Sequence, residues 1–515
     1  MKNRLSATLT LVLLSTLNPQ LSTVFAQGSL TPPGAPAPTM KSLDQIEART
    51  PISSLPYTIS TPGSYYLTSS FNVNSGSAIT ITASQVTLDL NGFTLSSTEA
   101  TPTGAGILLA GGNSDITIRN GHITGGVTYS GGNYTGSGFA AGIYYSGSTP
   151  FNVRVSGVSV SGCLTYGIFL FLGNATIVES CPVFNSGGYG IYASTVSRST
   201  ASQCGIAAIV ADIASDCYGL STGSGYGLFA ITANNCRGQS SGGNGLYAYN
   251  ADNCYGQTAG GIPALEANTA NNSQGYNTGS GDGVSAVAAN NCRGNSATGG
   301  GLSANNAENC SGQSGGGGNG LFAVTANNCQ GQSLGSGTGL YAVQTATGCY
   351  GYSASGSGID ADLVNNCNGQ SGGGGIGLLA GQLATGCNGS SATGGGLSVN
   401  NAENCNGQSG GGGTGLTAIQ TANGCYGYSA SGFGLAANLV NNCVGQSGGG
   451  GYGIYAYQIA TSSSGTSYSG TGLYAKYIVT ACGGFSTTGI GLQAADATSS
   501  GGIPNYSVTY KYSMP

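Results

Sequence analysis

The sequence predicts an all-β fold: a single right-handed parallel β-helix solenoid of about 19 residues per rung, with a short N-terminal capping helix. Three observations predict it. First, a Gly-Leu/Ile phrase, usually closed by Ala two residues later, recurs at Gly301, Gly320, Gly339, Gly358, Gly377, Gly396, Gly415, Gly434, Gly453, Gly472 and Gly491, every step being 19. A fixed period of this length is the signature of stacked supersecondary units. Second, each unit alternates. In Gly339-Leu340-Tyr341-Ala342, Leu340 and Ala342 point one way and Tyr341 the other, as in a strand. A helical unit is excluded by its several glycines, each costing about 1 kcal/mol in a helix interior. Third, a second alternating run, Cys-x-Gly-x-Ser as at Cys349–Ser353, follows in the same unit, so one unit holds two or three short strands joined by tight turns.

From the N-terminus, residues 1–26 read as a secretory signal: Lys2 and Arg4, an apolar run Leu9–Leu14, then Val24-Phe25-Ala26. Residues 27–40 contain Thr31-Pro32-Pro33-Gly34-Ala35-Pro36-Ala37-Pro38 and form an extended linker. Residues 41–56 are the cap, with a short amphipathic helix expected over Lys41–Arg49, Leu43 and Ile46 sharing one face. Residues 57–215 form irregular rungs with longer loops. In them Ala78–Thr82, Val86–Leu90 and Asp115–Arg119 alternate cleanly, and the last two end at Asn91-Gly92 and Asn120-Gly121. The segment Thr128–Gly138 is an insertion between rungs. Residues 216–500 are the regular repeats, and within 501–515 the alternating Tyr506–Tyr512 adds a closing strand. Roughly 20 rungs at about 4.8 Å each give a rod on the order of 100 Å long.

Two ladders are expected inside and beside this rod. The residue before each repeat Cys is Asn (Asn235, Asn253, Asn272, Asn291, Asn309, Asn328, Asn366, Asn404, Asn442) or Gly (Gly348, Gly386, Gly424). Asn and Gly share tolerance of the left-handed backbone region, which points to a stacked turn with side chains hydrogen-bonded between rungs. The cysteines occupy one slot per rung, filled by Ser273 and Ser463 where Cys is missing. The run Cys292–Cys443 has nine members and Cys482 is isolated by Ser463, so neighbour pairing strands at least two thiols. The spacing therefore predicts an interior ladder of free thiols behaving as small apolar residues, in place of the disulfide framework a secreted chain invites.

Composition bounds the function. Charged residues are 5% of the chain and the net charge is −5; without Lys2 and Arg4, 9 basic residues face 16 acidic ones. Nucleic acid is excluded as a partner, since nothing basic enough to follow phosphates is present. No membrane span is expected after the leader.

The stretches Ile79-Thr80-Ile81, Val86-Thr87-Leu88-Asp89-Leu90-Asn91-Gly92-Phe93-Thr94-Leu95 and Ile116-Thr117-Ile118-Arg119-Asn120-Gly121 resemble the opening rungs of secreted bacterial right-handed parallel β-helix repeat proteins of the pectate-lyase-like superfamily. Met40–Gln45 and Lys511–Pro515 fit an uncharacterised branch of it. The resemblance implies the fold over most of the mature chain. It also implies a choice of activities, because the superfamily holds lyases, hydrolases, adhesive and structural members. Pectate lyases of this kind use clustered carboxylates on calcium with an Arg or Lys base, and polygalacturonases use grouped Asp residues.

Candidate residues follow from that choice. For catalysis the irregular rungs offer Glu179, Asp212 and Asp216, which could meet Arg154 or Arg198. For metal, Asp360 and Asp362 lie two apart on a strand, but calcium wants about six to eight oxygens and no second pair stacks beside them. No cofactor is expected, calcium entering only with a lyase. For ligand binding, the outward positions of the Cys-x-Gly-x-Ser run hold Tyr218, Arg237 and Tyr255 on successive rungs, then Tyr350 with Tyr352 and Tyr426 with Tyr428, beside Gln239, Gln257, Gln370, Gln408 and Gln446. A flat stripe of Tyr and amides suits an extended polysaccharide or cell-surface glycan; the alternative is that the ladders only stack adjacent strands. The chain is thus expected to be a secreted structural or adhesive β-helix protein, extracellular or at the cell surface. The alternative is a polysaccharide lyase or glycoside hydrolase with its site in rungs 100–215.

Overall fold

A computed structural model describes residues 47–147, 150–173, 175–503 and 506–512. The leader, the Pro-rich stretch and residues 41–46 of the expected capping helix lie outside the described residues. Glu47–Arg49 are not helical, and Thr50–Ile52 is already a strand, paired in parallel with Gly63–Leu67. The stretch 50–56, expected in the cap, therefore belongs to the first described rung. No helix occurs among the described residues, and none is long and apolar enough to cross a membrane.

Strands from Thr50 to Tyr512 join one continuous 51-stranded sheet. It coils into a parallel β-solenoid of about 24 turns, more than the roughly 20 expected from the regular repeat, because the rungs before residue 216 are more numerous than the intact phrases there. One regular rung shows how the sequence makes it. Leu340–Thr347 pairs in register with Ile359–Asn365, and the register shifts between Ala342 and Thr345, which marks a corner. The chain turns at Gly348, runs through Tyr350–Ser353, and turns again to reach Gly358. Leu340, Ala342, Ala346, Cys349 and Ser353 point inward and are buried. At the far end Tyr506–Tyr512 adds the closing strand, in parallel with Leu492–Thr498.

The cross-section is narrow enough for backbone to meet backbone. A Cβ on Gly351 would stand 2.1 Å from the carbonyl oxygen of Gly358, and one on Gly358 would stand 2.2 Å from the nitrogen of Gln370. This is why the repeat keeps two glycines per rung facing each other across the interior.

Two polar ladders satisfy the turns. The Asn residues before each Cys have φ between 49° and 55°, and Gly348, Gly386 and Gly424 have φ of 63°, 63° and 65°. Their amides stack as expected: Asn253 Nδ2 donates to Asn235 Oδ1 at 2.8 Å, and Asn291 to Asn272 at 2.8 Å. The buried Ser353 hydroxyl donates to Gly337 O at 2.7 Å in the preceding rung and accepts from Gly356 N at 2.8 Å, closing the second turn.

All sixteen cysteines are buried free thiols. Cys367 Sγ donates to Asn365 O at 3.2 Å and Ala346 O at 3.3 Å, and accepts from Cys349 N at 3.2 Å. Burial pushes Cys163 and Cys204 up to about 12 and Cys181 up to about 11. Thiolate is the reactive form. Because all sixteen thiols are buried, an aromatic disulfide reagent at pH 8 is expected to modify none of them in the native chain and all of them in denaturant. Rapid labelling of the native protein would contradict the dry ladder.

The insertion is an antiparallel hairpin, Thr128–Ser130 with Asn133–Thr135. Its Tyr134 crosses the turn edges of later rungs: the hydroxyl lies 2.8 Å from Thr222 Oγ1, and the ring sits over Gly187 and Gly205. Burial pushes the Tyr134 phenol up to about 12 from its ordinary 10. The neutral phenol is the docked form, so docking is at full strength below pH 10 and is lost as pH rises through about 12. The tyrosinate absorbance difference between the native chain and Tyr134→Phe should accordingly titrate near pH 12; a midpoint near 10 would place the ring in solvent.

Candidate functional site

The Cys-x-Gly-x-Ser strands stack in register, so their outward residues form columns. Tyr218, Arg237 and Tyr255 are direct neighbours. The Arg237 guanidinium lies 5.7 Å from the Tyr218 ring and 5.0 Å from the Tyr255 ring, an aromatic–guanidinium sandwich. Beside it Tyr218 Oη donates to Gln239 Oε1 at 2.5 Å, and Gln239 Nε2 donates to Gln257 Oε1 at 2.5 Å. Tyr350 reaches Gln370 at 3.2 Å and Tyr426 reaches Gln446 at 2.7 Å by the same one-rung step. Burial raises the Tyr426 phenol above its ordinary value. These hydroxyls bond from one rung to the next along the stripe.

The next column runs Tyr352, Gln370, Ser390, Gln408, Tyr428. Ser390 is the short residue in it. A cleft of about 310 Å³ opens there, lined by Gln370, Ser390, Gln408 and Tyr428 and by the small turn residues Gly372 and Gly410.

The expected catalytic residues are dispersed. Glu179 makes an ion pair with Arg198 on the following rung. Asp216 has φ of 53° and accepts from Asn235 Nδ2 at 2.6 Å, so it is the first member of the Asn ladder. Asp212 sits at a corner, its backbone nitrogen on Ser194 O at 2.9 Å and its carboxylate near Tyr192. Arg154 is exposed between Thr117 and Ile177, one strand from Glu179 and diagonal to it. Asp360 stands between Tyr341 and Leu379, and burial and then the neighbouring Asp362 raise its carboxyl above the ordinary value. Among the described residues no three His, Cys, Asp or Glu side chains converge on a common metal position.

A second set of columns was not singled out from the sequence. On the Gly-Leu/Ile strand, rings stack between rungs: Phe169 on Tyr192 (4.8 Å, 15°), Phe229 on Tyr247 (5.3 Å, 4°) and Tyr455 on Tyr474 (4.8 Å, 20°). The signal was present as an aromatic–Gly–Leu/Ile–aromatic quartet: Tyr166–Phe169, Tyr189–Tyr192, Tyr226–Phe229 and Tyr452–Tyr455. Rings stacked on one another along the rod stabilise it, each pair contributing about 0.5–1.5 kcal/mol beyond its burial. Clefts of about 200 and 290 Å³ lie where two of these stacks end, at Tyr144 and at Tyr474.

No protein-family description matches this chain, and no curated protein matches it. Among solved structures, the chain is similar to the A-module of the Azotobacter vinelandii mannuronan C-5 epimerase AlgE6, with 11% identity, 88% of this chain and 91% of that chain covered, and a TM-score of 0.17. Fold and faces together define a glycine-rich parallel β-solenoid that carries long, nearly uncharged stripes of tyrosine and amide.

Proposed function

We propose that the chain is a secreted structural or adhesive β-helix protein, of the pectate-lyase-like kind, that presents its Cys-strand face to extracellular polysaccharide or cell-surface glycan. The observation that carries this reading is the register-locked Tyr–Gln stripe, in which Tyr218, Gln239 and Gln257 are hydrogen-bonded in line beside the Tyr218–Arg237–Tyr255 sandwich, and the Tyr-to-Gln bond recurs on the same face at Tyr350–Gln370 and Tyr426–Gln446. Sugars present apolar ring faces and many hydroxyls. A row of rings and amides answers both, since each amide offers two donors and an acceptor. Two carboxylates on which a lyase or hydrolase in rungs 100–215 would draw are already engaged between rungs, Glu179 by Arg198 and Asp216 by Asn235.

A glycan array probed with the full chain tests the proposal. Binding to a subset of polymeric glycans, weakened in Arg237→Ala and in Tyr255→Ala, is the expected result. No signal above background on neutral and acidic glycans would overturn it.

A further inference from the structure

The geometry points to one defined subsite on this face: the cleft over Gln370, Ser390 and Gln408, lined at one end by Tyr428 and preceded in the same column by Tyr352, takes a short segment of a neutral hexopyranose polymer. This rests on the glycan-binding reading above and narrows it to a place and a ligand class.

Three observations carry it. The two ends are copies of one another. Tyr350-Gly351-Tyr352-Ser353-Ala354-Ser355-Gly356 recurs unchanged as Tyr426–Gly432, and 426 − 350 is 76, four repeats of 19. Tyrosines therefore bound a gap of three intervening rungs in the same column. The rungs rise by about 4.8 Å, close to the repeat of an extended pyranose chain, so about three sugars align one per rung. The floor alternates long and short, Gln370, Ser390, Gln408, which leaves room above Ser390 with an amide on each side. Asn368, Asn388 and Asn406 continue the amide surface in the adjoining column.

The third observation is charge. No Lys or Arg occurs between Arg293 and Lys476, so nothing in these rungs counters the carboxylate of a uronate, and the ligand is neutral.

The test is titration calorimetry of the full chain with gluco-, manno-, galacto- and chito-oligosaccharides of two to six units, with oligogalacturonate as the charged comparison. At least one neutral series should bind, with affinity rising until about three or four units and then levelling. Tyr428→Ala should weaken binding about tenfold. Ser390→Tyr should abolish it with an unchanged melting temperature, because the same column already accommodates Tyr276, Tyr352 and Tyr428. Neutral binding that persists in Ser390→Tyr, or preference for the uronate, would overturn the subsite. If the glycan array is positive while Ser390→Tyr binds normally, the face binds sugar elsewhere; if no glycan binds at all, the broader reading fails with it.

Discussion

Gly358→Ala is expected to cost at least about 3 kcal/mol and to open the rungs around it, although it adds a single methyl group. The new Cβ would lie 2.2 Å from Gln370 N and 2.4 Å from Gly377 O. Both are backbone atoms of paired strands, so no side chain can swing aside to make room. Relief requires the Cys strand and the Gly-Leu strand to move apart, which breaks the hydrogen bond from Gly358 N to Ile376 O at 3.0 Å and its neighbours. Gly374→Ala is the control: the nearest atom to its Cβ is Thr393 Oγ1 at 3.8 Å, and its effect should stay within about 0.5 kcal/mol. Thermal melting of the two variants decides the matter. Equal melting temperatures would show that the interior has slack and that the paired glycines are not a steric requirement. Because each rung contacts only its neighbours, amide exchange should accelerate near residues 340–390 and stay native before residue 125.

The same geometry explains what could be read from the chain and what could not. The 19-residue period, the inward Leu and Ala, the Asn turn and the free thiol ladder were all legible, because each is set by contacts between identical positions on adjacent rungs. The Tyr218–Arg237–Tyr255 sandwich was legible for the same reason: once register is fixed, one offset from Cys places all three side chains. Rungs before residue 216 were harder. There the phrase is interrupted by the hairpin at Thr128–Thr135, and Tyr134 meets Thr222 across 88 residues, a contact that no period encodes. The cleft at Ser390 was also missed, although every residue lining it was known. Its existence depends on a difference within a column, a Ser between two Gln, and reading by repeats attends to what recurs. The aromatic quartets begin at Tyr166, Tyr189, Tyr226 and Tyr452, steps that follow no fixed period, so the repeat does not mark them as columns.

Asp89→Ala, in the early rungs, is expected to cost about 3 kcal/mol and to act where Gly358→Ala does not. Asp89 is 7% exposed. Its Oδ1 accepts from Asn91 N at 2.8 Å and Asn120 Nδ2 at 3.3 Å, and its Oδ2 from Arg119 Nε at 3.2 Å and Arg49 Nη1 at 3.5 Å. Ion pairs with partly exposed arginines are worth little, about 0–1 kcal/mol each, and the two arginines are 30% and 48% exposed. The larger share comes from the hydrogen bonds to a buried carboxylate, about 1.5–3 kcal/mol for such a bond. These bonds fix the two left-handed turns at Asn91 and Asn120, with φ of 54° and 62°, that stack one rung on the next. Asn91-Gly92 and Asn120-Gly121 are thus held by one side chain from the strand Val86–Asp89, which gives the Asp in that stretch a structural task. Asp89→Asn retains an acceptor for Asn91 N and should lose about half as much. Hydrogen exchange is the informative measurement: protection should fall over 57–124 in Asp89→Ala, while the array from 301 to 471 stays as in the native chain. Equal loss along the whole solenoid would mean that the rungs unfold as one cooperative block, and that the nearest-neighbour view of this fold is wrong.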